Sequence, residues 1–184
     1  MRFSTGELMG DTVLRSRKML SDLRGLFADT EAVDAASDAE VYNVQWCAAG
    51  RPNAQGSLFW GCTHLRAGRV AGEYFMTHGH FHALATRDEI YLVASGRGLL
   101  LRMERGGHTW AEEMGPGTIH YIEGTHGHRV VNTGDESLEF WASWPGDAGY
   151  DYASIARDGF GIRVFERDGE PVLVAQRSNQ GAAL

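Results

Sequence analysis

The stretch His80-Phe81-His82-Ala83-Leu84-Ala85-Thr86-Arg87-Asp88-Glu89 is the part of the chain around which the rest is organised. In an extended strand, side chains alternate between faces, so His80 and His82 project to the same side. Two imidazoles on one face, with a carboxylate a short loop later, make a three-point grip on a divalent metal. A fourth ligand has to come from a distant strand, and the chain supplies His128 within Gly127-His128-Arg129-Val130-Val131-Asn132. A chain with eight histidines places some of them together by chance. The acid after the pair, and a further histidine inside a strand-like segment, lift the pattern above that background.

Working outward, the chain from residue 41 reads as short β-prone runs separated by Gly, Asp and Asn. The runs are 41–47, 57–65, 69–76, 89–95, 98–104, 108–113, 118–122, 127–132, 138–144, 161–166 and 171–175. Frequent short strands with glycine-rich turns predict an all-β sandwich or barrel. Ser95-Gly96-Arg97-Gly98 and Arg105-Gly106-Gly107-His108 read as hairpin turns, and Gly115-Pro116-Gly117 as another turn. Residues 12–27 differ in texture. Val13, Leu14, Met19, Leu20, Leu23, Leu26 and Phe27 fall mostly at three- and four-residue spacings, which predicts an amphipathic helix with Arg15, Arg17, Lys18, Asp22 and Arg24 on its solvated face. Residues 28–40 read as a linker or a second short helical turn. The organisation expected is a helical extension at 1–40, a barrel at 41–176 and a flexible polar tail at 177–184.

The bulk properties narrow the function. The 184 residues are about the size of one domain, and 43% hydrophobic with 22% charged residues is ordinary for a globular protein. A net charge of -7 argues against a nucleic-acid surface, which is normally basic. No apolar run has the length of a signal peptide or a membrane span, so the expected location is the cytoplasm and no membrane partner is expected. Cys47 and Cys62 form no CxxC pair, and two reduced thiols fit that compartment.

His80-x-His82-x6-Glu89-x6-Gly96 followed by Gly117-x10-His128-x3-Asn132 resembles the two signature motifs of the cupin superfamily, double-stranded β-helix (jelly-roll) barrels. A narrower resemblance is to the cupin-type glucose-6-phosphate isomerases. It is carried by Phe75-Met76-Thr77-His78-Gly79-His80-Phe81-His82-Ala83, Glu89-Ile90-Tyr91, His128-Arg129-Val130-Val131-Asn132-x-Gly134-Asp135-Glu136 and Pro145-x-Asp147-Ala148-Gly149-x-Asp151-Tyr152. The resemblance covers roughly residues 57–166. It implies His80, His82, Glu89 and His128 as ligands of one divalent transition metal (Fe, Mn, Ni, Co or Zn). It implies Thr63, Thr77 and Gly79 as the residues that hold a sugar phosphate, and Tyr91 and Tyr152, with Glu89, as the catalytic set at the substrate cavity. Trp144 and Tyr150 match further substrate-side positions, and with His78 they depart from the archaeal pattern, which carries Tyr, His and Lys respectively. The implied activity is interconversion of glucose 6-phosphate and fructose 6-phosphate, by a homodimer.

Aldose–ketose isomerisation moves hydrogen between C1 and C2 of an open-chain sugar while negative charge develops on oxygen. A Lewis acid and a carboxylate within reach answer those two needs. Two alternatives share the ligand set: an iron-dependent cupin dioxygenase, which has no use for phosphate-contacting threonines, and a sugar-phosphate-binding cupin that turns nothing over. His78, His120 and His126 read as surface or supporting residues, and the many strand aromatics as core.

Overall fold

The computed structural model describes residues 7–48, 51 and 54–176, with the backbone alone at residues 157 and 158. The all-β class expected from the sequence is what the chain forms. Strand β1 is Leu14–Met19; a 3-10 helix at Leu20–Leu26 and helix α1, Thr30–Ala35, follow it. Then come β2 (Glu40–Ala48), β3 (Leu58–Leu65), β4 (Arg69–Val70), β5 (Glu73–Tyr74), β6 (Glu89–Ser95) and β7 (Gly98–Met103). The order continues with β8 (Thr109–Met114), β9 (Ile119–Ile122), β10 (Gly127–Asn132) and β11 (Leu138–Pro145). Helix α2 (Tyr152–Asp158) precedes the closing hairpin β12 (Ile162–Arg167) and β13 (Glu170–Ala175).

Every strand pairing is antiparallel. The largest sheet runs β1-β2-β3-β11-β6-β9, a second β10-β7-β8, and a third β13-β12-β5-β4. One apolar core joins them: Leu65, Val93, Leu100, Val130, Phe140 and Val164 are buried together although they come from all three sheets. Asn132 ends β10 in that core, fully buried. Its Nδ2 donates to the carbonyls of Leu65 (2.9 Å) and Glu136 (2.8 Å), and its Oδ1 accepts from Gly134 N (2.9 Å). A buried amide with its bonding capacity used this way pins β10 to β3.

Three sequence expectations need correction. The helix expected over 12–27 is a strand followed by a 3-10 helix. The apolar spacing there arises from Leu20, Leu23 and Phe27, which are buried, whereas Leu14 is exposed. Residues 14–19 instead find a hydrogen-bonding partner in β2, with Ser16 opposite Val44 and Lys18 opposite Tyr42, and tertiary pairing overrides a weak helical period. The single strand expected over 69–76 is a tight hairpin, turned by Ala71 and Gly72 at φ 47° and 85°, the positive pair that a two-residue turn requires. His80-Phe81-His82 is not a regular strand. It holds two isolated pairings, His80 with His128 and Phe81 with Asp151, which still place the His80 and His82 rings 5.5 Å apart. Helix α2 went unread, although Asp151, whose side chain accepts from Ser154 N, and Gly159 at φ 66° bracket it. The tail expected at 177–184 lies outside the described residues.

Candidate metal centre and substrate cavity

The four expected ligands meet. One ligand atom from each of His80, His82, Glu89 and His128 lies within 4.8 Å of the others, and three of the four residues are buried. Backbone bonds between His80 and His128, 3.0 and 3.1 Å, fix two of them to each other across the chain. His82 Nε2 lies 3.2 Å from Glu89 Oε2, and His128 Nε2 lies 3.3 Å from the same oxygen. The ring nitrogens His80 Nε2 and His128 Nε2 are buried and have no hydrogen-bond partner among the described residues. Buried polar atoms left over in this way need an explanation, and imidazole nitrogens converging on a carboxylate fit a divalent metal.

The electrostatics differ from one ligand to the next. Burial pushes the Glu89 carboxyl up, but the imidazoles of His128 and His82 outweigh it and bring it to about 2, so it is a carboxylate at neutral pH. Burial, reinforced by His128, holds the His80 imidazole well below its usual range and so neutral. For His82 burial acts downward, yet the hydrogen bond with Glu89 leaves the imidazole raised.

The surrounding chain orients the ligands. His82 Nδ1 is hydrogen-bonded to the Arg87 carbonyl. Arg87 in turn donates Nε and Nη2 to the two oxygens of Asp147 at 2.9 and 2.8 Å. The segment around Asp147 zips onto the loop between His82 and Glu89, through Leu84 N to Ala148 O (3.0 Å) and a reciprocal pair between Phe81 and Asp151. The six residues separating His82 from Glu89 are thus held from outside by the Asp147-to-Asp151 run. Gly79, at φ 74°, lets the chain pass close to β10: a Cβ there would stand 2.9 Å from the His128 carbonyl. Arg129, buried, donates Nε and Nη2 to the His78 carbonyl at 3.2 and 2.8 Å, bracing the same loop.

A cavity of about 310 Å³ opens beside the cluster, and His80, Glu89 and His128 line it while His82 sits behind. All of Thr63, Thr77, Gly79, Tyr91, Trp144, Tyr150 and Tyr152 line it too, so the structure brings the whole expected set together. Thr77 Oγ1 accepts from Val130 N (3.0 Å), which leaves its hydroxyl proton to donate. Burial pushes the Tyr91 phenol well above its usual range, with Glu89 adding to the effect, so it too is a donor. Tyr150 lies with its ring 4.8 Å from His80 and stacked 5.6 Å from Tyr152.

Sequence reasoning missed the wall formed by β1 and β2. Ser16, Lys18, Tyr42, Val44 and Trp46 all face the cavity. The signal for β2 was legible, since Tyr42, Val44 and Trp46 alternate with Asn43, Gln45 and Cys47. The signal for β1 was hidden by its helix-like apolar spacing. His120 and His126 do not join the cavity; they pair with Glu112 and Glu123 around the buried Arg102. Phe59 and Trp60 lie outside it as well.

Residues 17–181 match the family model described as glucose-6-phosphate isomerase (GPI). The chain belongs to that family. It is 43% identical over 173 residues to a glucose-6-phosphate isomerase of Thermococcus kodakarensis, covering 92% of this chain and 89% of the relative. It is 39% identical over 176 residues to the Pyrococcus furiosus glucose-6-phosphate isomerase, covering 94% and 90%. The glucose-6-phosphate isomerase family expected from the narrower resemblance over roughly residues 57–166 is therefore borne out, and the match extends over nearly the whole chain.

Proposed function

We propose that this chain interconverts glucose 6-phosphate and fructose 6-phosphate, the glycolytic and gluconeogenic step, using one divalent transition metal held by His80, His82, Glu89 and His128. The observation that carries the reading is the position of the four-residue cluster against a cavity of about 310 Å³, within a chain of this family. That volume lies at the small end of the range for ligand sites, as suits a six-carbon sugar phosphate.

The ligand set is chemically apt: three imidazoles and one carboxylate suit Fe, Mn, Ni, Co or Zn alike. Such a metal supplies Lewis acidity toward a sugar oxygen. The chain's own residues do the rest. Thr63, Thr77 and the backbone of Gly79 hold the phosphate, which fixes the reacting carbons of a flexible substrate. Tyr91 and Tyr152, protonated phenols, donate to sugar oxygens. Trp144 offers an indole N–H, and Tyr150 packs its ring by His80 to shape the same side. Glu89 is the carboxylate placed to carry the proton from C2 to C1. A carboxyl held near 2 is a weak base, so this role requires its interaction with the imidazoles to loosen once substrate is bound.

We also propose a cytoplasmic homodimer. The outer face of the large sheet presents Trp60, Ile90, Ile119 and Tyr121, all exposed and brought near one another by the register of β3, β11, β6 and β9. Apolar sheet surface of this kind suits a self-complementary two-fold contact. Among the described residues no helix is long and apolar enough to cross a membrane.

The test is a coupled assay with fructose 6-phosphate on chelator-stripped protein, repeated after adding back Mn, Fe, Ni, Co and Zn in turn. Turnover lost on chelation and restored by metal is the expected result. Protein that binds metal but turns over with none of the five would overturn the isomerase reading. Under the active metal, Glu89→Gln should lower turnover by about 100-fold or more if Glu89 moves the proton; full turnover with metal retained would assign the transfer elsewhere.

A further inference from the structure

A phosphate dianion held in a cavity calls for a cation, and hydroxyls with one backbone N–H do not supply it. Among the described residues that line the cavity, Lys18 is the one lysine or arginine. It makes no hydrogen bond or ion pair with any described residue, and it is half-buried. Its neighbours along β1, Arg15 and Arg17, point to the opposite face of the sheet and are exposed. Lysines are also placed on edge strands to discourage pairing with other chains, and β1 is an edge strand. That purpose is already met by the two outward arginines and does not account for an inward lysine.

The register makes Lys18 part of a polar set. It stands opposite Tyr42 on β2, and Ser16, two residues before it, stands opposite Val44, which in turn faces Thr63 on β3. The Tyr42 hydroxyl accepts from His78 N at 3.4 Å and keeps its own proton to donate. Thr77 likewise keeps a hydroxyl proton. His78 has its Nδ1 committed to the Gly79 carbonyl at 3.0 Å. Among the described residues, the only carboxylate lining the cavity is Glu89, which belongs to the metal cluster. The cavity therefore holds one negative group, on the metal side, and one full positive charge, on β1.

We propose that Lys18, supported by Tyr42 and Ser16, is the cation that binds the phosphate of the substrate, making β1 a part of the substrate site. This rests on the isomerase reading for the identity of the substrate, though not for the presence of an anion site. Lysine acts here as a point charge on a flexible stem, so arginine is an acceptable replacement and methionine is not.

The experiment is calorimetric titration of the metal-loaded protein with glucitol 6-phosphate, which carries the phosphate but no carbonyl, and with glucitol as control. The KM for fructose 6-phosphate is measured alongside. Lys18→Met is expected to raise the Kd for glucitol 6-phosphate and the KM by about tenfold or more, the loss of one charge-assisted contact. Lys18→Arg should stay within about threefold of the parent, and Arg17→Met, one position along on the outer face, should leave both values unchanged. If Lys18→Met fails to fold by circular dichroism, Lys18→Gln carries the same expectation. Affinity and KM unchanged in Lys18→Met, with the parent active, would overturn the assignment and leave the isomerase reading intact. An equal loss in Arg17→Met, or a parent that binds glucitol 6-phosphate no better than glucitol, would also overturn it. A parent with no isomerase turnover but Lys18-dependent glucitol 6-phosphate binding would sink the isomerase reading and sustain this one.

Discussion

The metal cluster and the β1 wall of the cavity are assembled in opposite ways. His80, His82, Glu89 and His128 come from a braced loop, from β6 and from the fully buried β10; backbone bonds tie His80 to His128, and the Arg87 carbonyl orients His82 from behind. Ser16 and Lys18 come from an edge strand paired on one side only, and no side chain among the described residues holds the Lys18 amine in place. One side is preorganised for chemistry that tolerates little displacement, the other left adaptable for an anion that needs charge more than geometry.

The sharpest way to break that contrast is to remove a ligand. His128→Ala should abolish metal retention and lower turnover by about 1,000-fold, while glucitol 6-phosphate affinity changes by less than about threefold. Metal analysis, the coupled assay and calorimetry on one preparation check it; a large loss of sugar-phosphate affinity would mean that the two sides are not separable. Asp147→Ala touches nothing in the cluster directly. It frees Arg87 and with it the carbonyl that orients His82, and metal affinity should drop about 10- to 100-fold. A chelator competition titration measures this, and unchanged affinity would show that the loop is held without Asp147.

Asn132→Ala leaves two carbonyls and one N–H without their buried partner and should cost about 2–4 kcal/mol of stability, read from denaturant unfolding. Its effect on metal affinity should be small, because the residue supports β10 from the end opposite His128. The smallest effect concerns Tyr42. Burial pushes its phenol up to about 12, against a usual value of 10. A phenol raised in the folded state adds nothing below pH 10 and costs stability as pH rises above it, where the unfolded chain ionises first. Thermal unfolding should shift downward above pH 10 in the parent and less so in Tyr42→Phe. Phenolate absorbance from Tyr42 appearing near pH 10 in the folded protein would refute the buried placement.

How much of this was legible in the sequence follows the same division. His80-x-His82, Glu89 and His128 could be read because metal ligation demands few residue types at tight spacing. The strands from 89 to 145 could be read because alternation and glycine turns mark them. Asp147 was visible only as part of a resemblance, since its action passes through Arg87 to a carbonyl and leaves no pattern in the chain. Lys18 was read as solvated, because Leu20, Leu23 and Phe27 extend a helical spacing backward over residues whose conformation is decided by β2, more than twenty positions away. Short polar edge strands have little internal signal; their partner specifies them.

The Asn132 amide is a buried commitment and the Asp147–Arg87 clasp a half-buried one, whereas β1 is attached along a single line of backbone bonds. Such a seam is where a lineage can experiment. Replacing a strand of six residues could alter which phosphorylated molecule is retained, or how tightly, without disturbing the atoms that carry out the reaction. Affinity and chemistry would then be inherited as separate traits of one barrel, one varying at its margin and the other conserved by its interior.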